Sequence, residues 1–201
     1  MGMELEYKLH VPDESVLLHV LAAPEIEALR AAPWKQTRMR TTYFDTPDGR
    51  FSTLRWTLRR RMENETSVVC LKTPLPGQTA RGEWQLEADE IDRATIDRLL
   101  ALGAPRELEA LFGNGVLVPV CGAEFLRRSV MLEFPDGSRA ELAGDHGGLF
   151  GATESTVFSE LELELYGGAP AATRALADAL CRAYGLCDEP RSKLARARAL
   201  K

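Results

Sequence analysis

The chain has 201 residues, room for one large or two small domains, with 45% apolar residues to build a core and 27% charged residues to keep it in solution. Its net charge of −5 argues against nucleic acid as the main partner, because a phosphate backbone calls for a basic face. No apolar run approaches the roughly 20 residues of a membrane span, and Met1-Gly2-Met3-Glu4-Leu5-Glu6 is too acidic for a signal peptide and fits a myristoylation signal poorly, so a cytoplasmic protein without a membrane partner is expected.

In chain order, period-2 alternation predicts a first strand at about 3–10. Asp13 then caps a helix from Glu14, which Pro24 breaks or restarts. Four strands follow at about 37–45, 55–62, 66–73 and 81–88. Asp92 caps a second helix that stops at Gly103. Strands at about 125–134 and 138–145 flank a Pro135-Asp136-Gly137 turn, and an eighth covers about 157–166. A third helix runs from about Pro170 to Tyr184, with Gly185 just past its end. With no repeat and no linker, residues 1–201 read as a single domain of α+β class, mainly antiparallel. Cys70, Cys121, Cys181 and Cys187 show no CxxC spacing and read as buried reduced thiols.

The polar faces of these strands are sorted by sign. Glu4, Glu6 and Lys8 share one face of the first strand, opposite Leu5, Tyr7 and Leu9. Arg59 and Arg61 share a face of the third, and Lys72 is in phase with Val68 and Cys70 on the fourth. Arg81, Glu83, Gln85 and Glu87 line the fifth, Arg127 opens the sixth, and Arg139, Glu141 and Asp145 line the seventh. Glu160, Glu162 and Glu164 line the eighth, against Leu161, Leu163 and Leu165. Glutamates spaced about 7 Å along one strand repel, so the row needs either water or cations.

On any one strand taken alone, a face turned to solvent accounts for the row equally well. Taken together, the apolar faces are rich enough to be covered by the amphipathic helices, which turns the charged faces the other way. Closing the sheet then gives a barrel of about eight strands with a charged interior, helices outside and no free edges. Acidic strands supply oxygen ligands for Mg²⁺ or Mn²⁺, and basic strands supply donors for phosphate oxygens. A polyphosphate joined to carboxylates through metal ions satisfies both halves.

Glu4-Leu5-Glu6-Tyr7-Lys8 resembles the ExExK motif of the CYTH family, the triphosphate tunnel metalloenzymes. Tyr43-Phe44-Asp45-Thr46 is similar to its YFDT segment, Leu58-Arg59-Arg60-Arg61 to its LRxR strand and Leu71-Lys72 to the lysine strand that follows. Arg81-Gly82-Glu83-Trp84, Phe125-Leu126-Arg127 and Asp145-His146-Gly147 resemble the RxEW strand, the FxR motif and the DxG turn. Glu160 to Leu165 matches the ELELEL strand, and Ser192-Lys193-Leu194-Ala195-Arg196-Ala197 the closing SKxxRG segment. The matches run in family order from Glu4 to Arg196 and most closely resemble the bacterial inorganic triphosphatase branch. Some members of that branch carry a further helical, histidine-rich domain; with three histidines, this chain reads as the barrel alone. Three positions depart from the pattern: Ala197 stands where glycine is usual, Gly144 where an apolar residue is common, which would loosen the strand end, and Gln85 where several relatives are acidic.

The resemblance implies a hydrolase acting on a small triphosphate with one or two divalent ions, Mg²⁺ or Mn²⁺. Glu4, Glu6, Asp145, Glu160 and Glu162 would hold metal, with salt-bridge partners of the interior cations as their plainer role. Lys8, Arg59, Arg61, Lys72, Arg127, Lys193 and Arg196 would bind phosphate oxygens, although Arg196 also fits a surface arginine on a C-terminal helix. Glu83 either binds metal or holds an arginine. Glu6 and Lys8 are the expected catalytic pair, either of them able to take the proton. Inorganic triphosphate leads as substrate. Adenylate cyclisation, thiamine triphosphate hydrolysis and a non-catalytic polyphosphate or nucleotide sensor are the alternatives, and a homodimer is the default assembly.

Overall fold

The structure, a computed structural model, describes residues 5–74 and 81–200, so the expectations for Glu4 and for the start of the chain lie outside the described residues. The elements in order are β1 (Leu5–Val11), α1 (Glu14–Leu21), α2 (Pro24–Leu29), β2 (Lys35–Asp45), α3 (Arg50–Thr53), β3 (Thr57–Glu63), β4 (Thr66–Pro74) and β5 (Arg81–Glu87). They continue with α4 (Arg93–Ala101), α5 (Glu107–Phe112), β6 (Val118–Glu133), β7 (Arg139–Phe150), β8 (Ser155–Gly167), α6 (Pro170–Tyr184), β9 (Cys187–Asp188) and α7 (Lys193–Ala199). Among the described residues no helix is long and apolar enough to cross a membrane.

The helix boundaries follow local chemistry. Asp13 accepts the Val16 amide at 2.9 Å and Asp92 accepts the Thr95 amide at 2.8 Å, so both expected caps form. Pro24 restarts the chain as α2, and Gly185, with φ of 67°, ends α6. The first half of β6 is an element the sequence disguises, because Pro119 and Gly122 read as breakers. A Cβ on Gly122 would lie 2.9 Å from the Thr41 carbonyl oxygen, so glycine is what permits that approach. Arg127 consequently sits inside β6 rather than opening it, and Asp145-His146-Gly147 runs within β7 rather than forming a turn.

The sheet order is β5-β4-β3-β2-β6-β7-β8-β1-β9, confirming an α+β fold built on one mainly antiparallel sheet. The order is linear, so among the described residues the pairing does not close the expected barrel. β9 contributes only two residues, pairing with Leu9 and His10, and shields the β1 edge with a very short strand instead of ring closure.

By contacts the chain forms two compact units, each assembled from separate segments. The first takes 1–37, 125–148 and 156–192, and its core places Leu9, Val11, Leu161 and Leu163 of the sheet with Leu17, Val20, Leu176 and Leu180 of α1 and α6. Gly144 belongs to this packing: a Cβ there would meet Leu21 Cδ1 at 2.9 Å and Leu17 Cδ1 at 3.1 Å. The expected loosening at Gly144 is therefore corrected, since the missing side chain is what seats α1. The second unit takes 38–124, 149–155 and 193–201, and its core joins Leu58, Val69, Leu71 and Trp84 to Ile96, Leu99, Leu108 and Phe112 of α4 and α5. Cys70 and Cys121 are buried thiols as expected, Cys181 is half-buried, and Cys187 on the edge strand is exposed.

Candidate functional site

In the first unit, β1 and β8 pair so that Glu6 stands opposite Glu164, Lys8 opposite Glu162 and His10 opposite Glu160. Directly opposed residues of an antiparallel pair share a face, so these side chains lie on the side away from the leucines that pack under α1 and α6. Lys8 Nζ is 3.8 Å from Glu6 Oε1 on its own strand. Glu160 is fully buried, as is Asp145 on β7, at 0% exposure each. One carboxylate oxygen from each of Asp145, Glu160 and Glu162 falls within 4.8 Å of the others, a set of hard oxygen donors that fits Mg²⁺ or Mn²⁺.

Arg127 engages this set from β6. Its Nε and Nη2 donate to Asp145 Oδ1 and Oδ2 at 2.8 and 2.7 Å, and Nη2 also donates to Glu162. Burial works against the charge on Arg127, but the two carboxylates outweigh it and the guanidinium is held firmly protonated. The Phe125 ring lies 5.8 Å below the guanidinium and is itself braced edge-on by Phe158. Two of the donors expected to meet phosphate are thus directed at acids. At the Glu164 end of the row, the Tyr166 hydroxyl donates to Glu141 at 3.1 Å, and burial with the neighbouring glutamates pushes the phenol up to about 12.

The second unit carries the other basic residues of the expected site, Arg59, Arg61, Lys72, Lys193 and Arg196. Register places Tyr43, Arg59, Cys70 and Gln85 in one row across β2 to β5, with Lys72 opposite Glu83 one step along. Glu83 accepts from Lys72 Nζ at 2.8 Å and from the Cys70 thiol at 3.1 Å, and lies 3.8 Å from Arg59 Nη2. Arg61 pairs with Glu63. Burial and the neighbouring Arg59 lower the Arg61 pKa, against the pull of Glu63. The Nε atoms of Arg59 and Arg61 are buried without a hydrogen-bond acceptor among the described residues, leaving two donor groups under-satisfied in the basic row. Lys193 and Arg196 lie on α7, where Arg196 is buried at 9% exposure, so it is not the surface arginine allowed for above.

Burial raises the Glu83 pKa, yet the hydrogen bonds and charges of Lys72, Cys70 and Arg59 more than reverse this, so the carboxyl titrates below its usual range. A depressed folded pKa contributes stability that is present above the unfolded value and lost as pH falls through the folded one. Glu83→Gln should therefore flatten the acid limb of the stability-pH curve below about pH 4.5, as read by urea denaturation across pH.

Geometry of this kind defines a class: an antiparallel sheet with helices packed on an apolar face and ionisable residues sorted by sign on the other. The chain belongs to the CYTH domain family, whose model matches residues 2–197. Among curated proteins it is 29% identical over 130 residues to the inorganic triphosphatase of Haemophilus influenzae, covering 63% of this chain and 36% of that one, so the chain spans about a third of the length of that relative. In fold it is similar to a candidate adenylyl cyclase of Hippeastrum reported with a dominant triphosphatase activity, at TM-score 0.63 and 20% identity, with 98% and 96% of the two chains covered. The PH1819 protein of Pyrococcus horikoshii OT3 matches at TM-score 0.58 and 18% identity, covering 96% of this chain and 97% of that one.

Proposed function

We propose that this chain is a metal-dependent hydrolase that removes a terminal phosphate from inorganic triphosphate or a related triphosphate. The observation that carries the reading is the Asp145, Glu160 and Glu162 set, two of its members buried and all three converging on one position. Buried carboxylates this close repel unless cations stand among them; the Arg127 guanidinium is one such cation, and a divalent ion would be a second. Support for a phosphate ligand comes from Arg59, Arg61 and Lys72 on neighbouring strands, with donor groups that have no acceptor among the described residues on Arg59 and Arg61. The inorganic triphosphatase name of the Haemophilus relative points the same way.

In this reading Asp145, Glu160 and Glu162 hold the divalent ion, with Glu4 and Glu6 as further ligands. The ion, when bound, spreads the charge that builds on the phosphoryl oxygens. Arg59, Arg61, Lys72, Lys193 and Arg196 bind and orient the phosphate chain, which is most of what phosphoryl transfer asks of a protein. Arg127 fixes the carboxylates of Asp145 and Glu162 in place and takes part in substrate binding from there. Glu6 and Lys8 handle the proton of the attacking water. Cyclisation of a nucleoside triphosphate is the second reading, favoured by the adenylyl cyclase naming of the Hippeastrum neighbour.

The test offers inorganic triphosphate, ATP and thiamine triphosphate to the purified chain with Mg²⁺, Mn²⁺ or chelator. Release of phosphate that chelator stops is the expected result. Cyclic AMP with pyrophosphate would replace the hydrolase by a cyclase, and binding without product would replace it by a sensor.

A further inference from the structure

Asp45 is almost fully buried, at 2% exposure, and its carboxylate accepts four hydrogen bonds from the chain that follows it. Oδ1 accepts the backbone amides of Thr46 at 2.8 Å and Phe51 at 2.9 Å. Oδ2 accepts the Ser52 amide at 3.2 Å and also the Ser52 hydroxyl. These bonds tie the end of β2 to α3, and the Thr46 hydroxyl adds to them by accepting the Arg50 amide at 2.9 Å. From a distant part of the sequence, Arg198 on α7 donates Nη1 to the Ser52 hydroxyl and brings Nη2 to 3.4 Å from Asp45 Oδ2. Just beyond α7, Leu200 packs so closely on Gly151 that a Cβ there would lie 2.5 Å from the Leu200 carbonyl oxygen.

One carboxylate is therefore bonded to two elements that matter for the basic residues. The corner from Thr46 to Trp56 leads directly into β3, which carries Arg59 and Arg61, while α7 carries Lys193 and Arg196. A buried carboxylate with a cation and four donor groups around it is worth keeping only if it fixes a geometry, since an apolar corner would cost less to bury. We infer that Asp45, Ser52 and Arg198 form a positioning clamp that sets the placement of α7, and with it Lys193 and Arg196, against the corner that precedes the arginine strand. None of the three contacts substrate in this inference. It rests on the triphosphate reading for its functional consequence, though the clamp itself is a statement about the fold.

The test uses the full chain carrying Arg198→Ala, Arg198→Lys or Ser52→Ala, with two independent readouts. Hydrogen exchange of the α7 amides, 193–199, reads the clamp without reference to activity. Titration of inorganic triphosphate by calorimetry, in chelator so that no turnover occurs, reads its consequence. Arg198→Ala should lose α7 protection by at least tenfold and weaken triphosphate binding by about tenfold, close to the loss of a single charged hydrogen bond. Where turnover is measured, KM should rise by a similar factor with kcat within threefold. Arg198→Lys, which keeps the charge but cannot fork onto two acceptors, should recover part of both effects. Protection and affinity that both stay at the parental values in Arg198→Ala overturn the clamp. Lost protection with unchanged affinity overturns its positioning role. If the parental chain neither binds triphosphate in chelator nor releases phosphate from it with Mg²⁺ or Mn²⁺, the functional reading fails instead, while the exchange result still decides the clamp.

Discussion

Replacing Glu162 by glutamine should abolish metal-dependent phosphate release while the chain melts as before. Glu162 is one of three carboxylates whose oxygens lie within 4.8 Å of one another, and the amide removes a charge without changing the shape. Loss of a group that merely supports a metal ligand costs roughly 10–100-fold in affinity or activity, so loss of a ligand itself should cost at least that. The fold should survive because Arg127 keeps its two bonds to Asp145 at 2.8 and 2.7 Å, and the glutamine oxygen still accepts from the guanidinium. Calorimetric titration with Mn²⁺, phosphate release and a thermal melt together check this. Full turnover in the variant would remove the metal assignment and leave the carboxylates as partners of the basic side chains.

Arg127→Met should show the reverse pattern, a large loss of stability that metal partly restores. The substitution keeps an unbranched apolar side chain on β6 but strips the bidentate cation from Asp145, which has no exposure to water. Breaking one partner of a buried ion pair costs about 3–5 kcal/mol. For a chain of this length that is a fall in Tm of roughly 10 °C. Mn²⁺ binds the native carboxylates and supplies a replacement cation, and an excess of about a hundredfold over its Kd would return about 2.7 kcal/mol. Melting curves of the variant with Mn²⁺ and with chelator provide the measurement. A variant as stable as the parent in chelator would show that Arg127 does not carry the charge balance of the set.

Which parts were visible in the sequence follows from the range of the interactions. The alternation of Glu160, Glu162 and Glu164 with Leu161, Leu163 and Leu165 is a property of eight or so neighbouring residues, and β8 forms where it predicts. The caps at Asp13 and Asp92 are equally local. The fork of Arg127 on Asp145 depends instead on the relation of β6 to β7, which no short window contains. The same holds for Arg198, which meets Asp45 across most of the chain and was not expected to have a role. Closure of the sheet is inferred from the charged faces turned away from the helices, with covered edges as a by-product. The protein shields the β1 edge with a two-residue strand at β9, a device too short to leave a periodic trace. Short α3 and α5 escape the sequence reading for a similar reason, since four and six residues complete fewer than two turns of 3.6.

The pairing of Leu5 with Leu165 and Lys8 with Glu162 has a consequence for biosynthesis. The first strand leaves the ribosome long before its partner is made, and loop closure over that separation is entropically costly and slow. The carboxylates of β8 can meet β1 only once every element between the two strands has been translated. On the proposed metal reading, in which Glu6 of β1 joins the carboxylates of β8, full affinity for divalent ions should appear only after these two strands have paired.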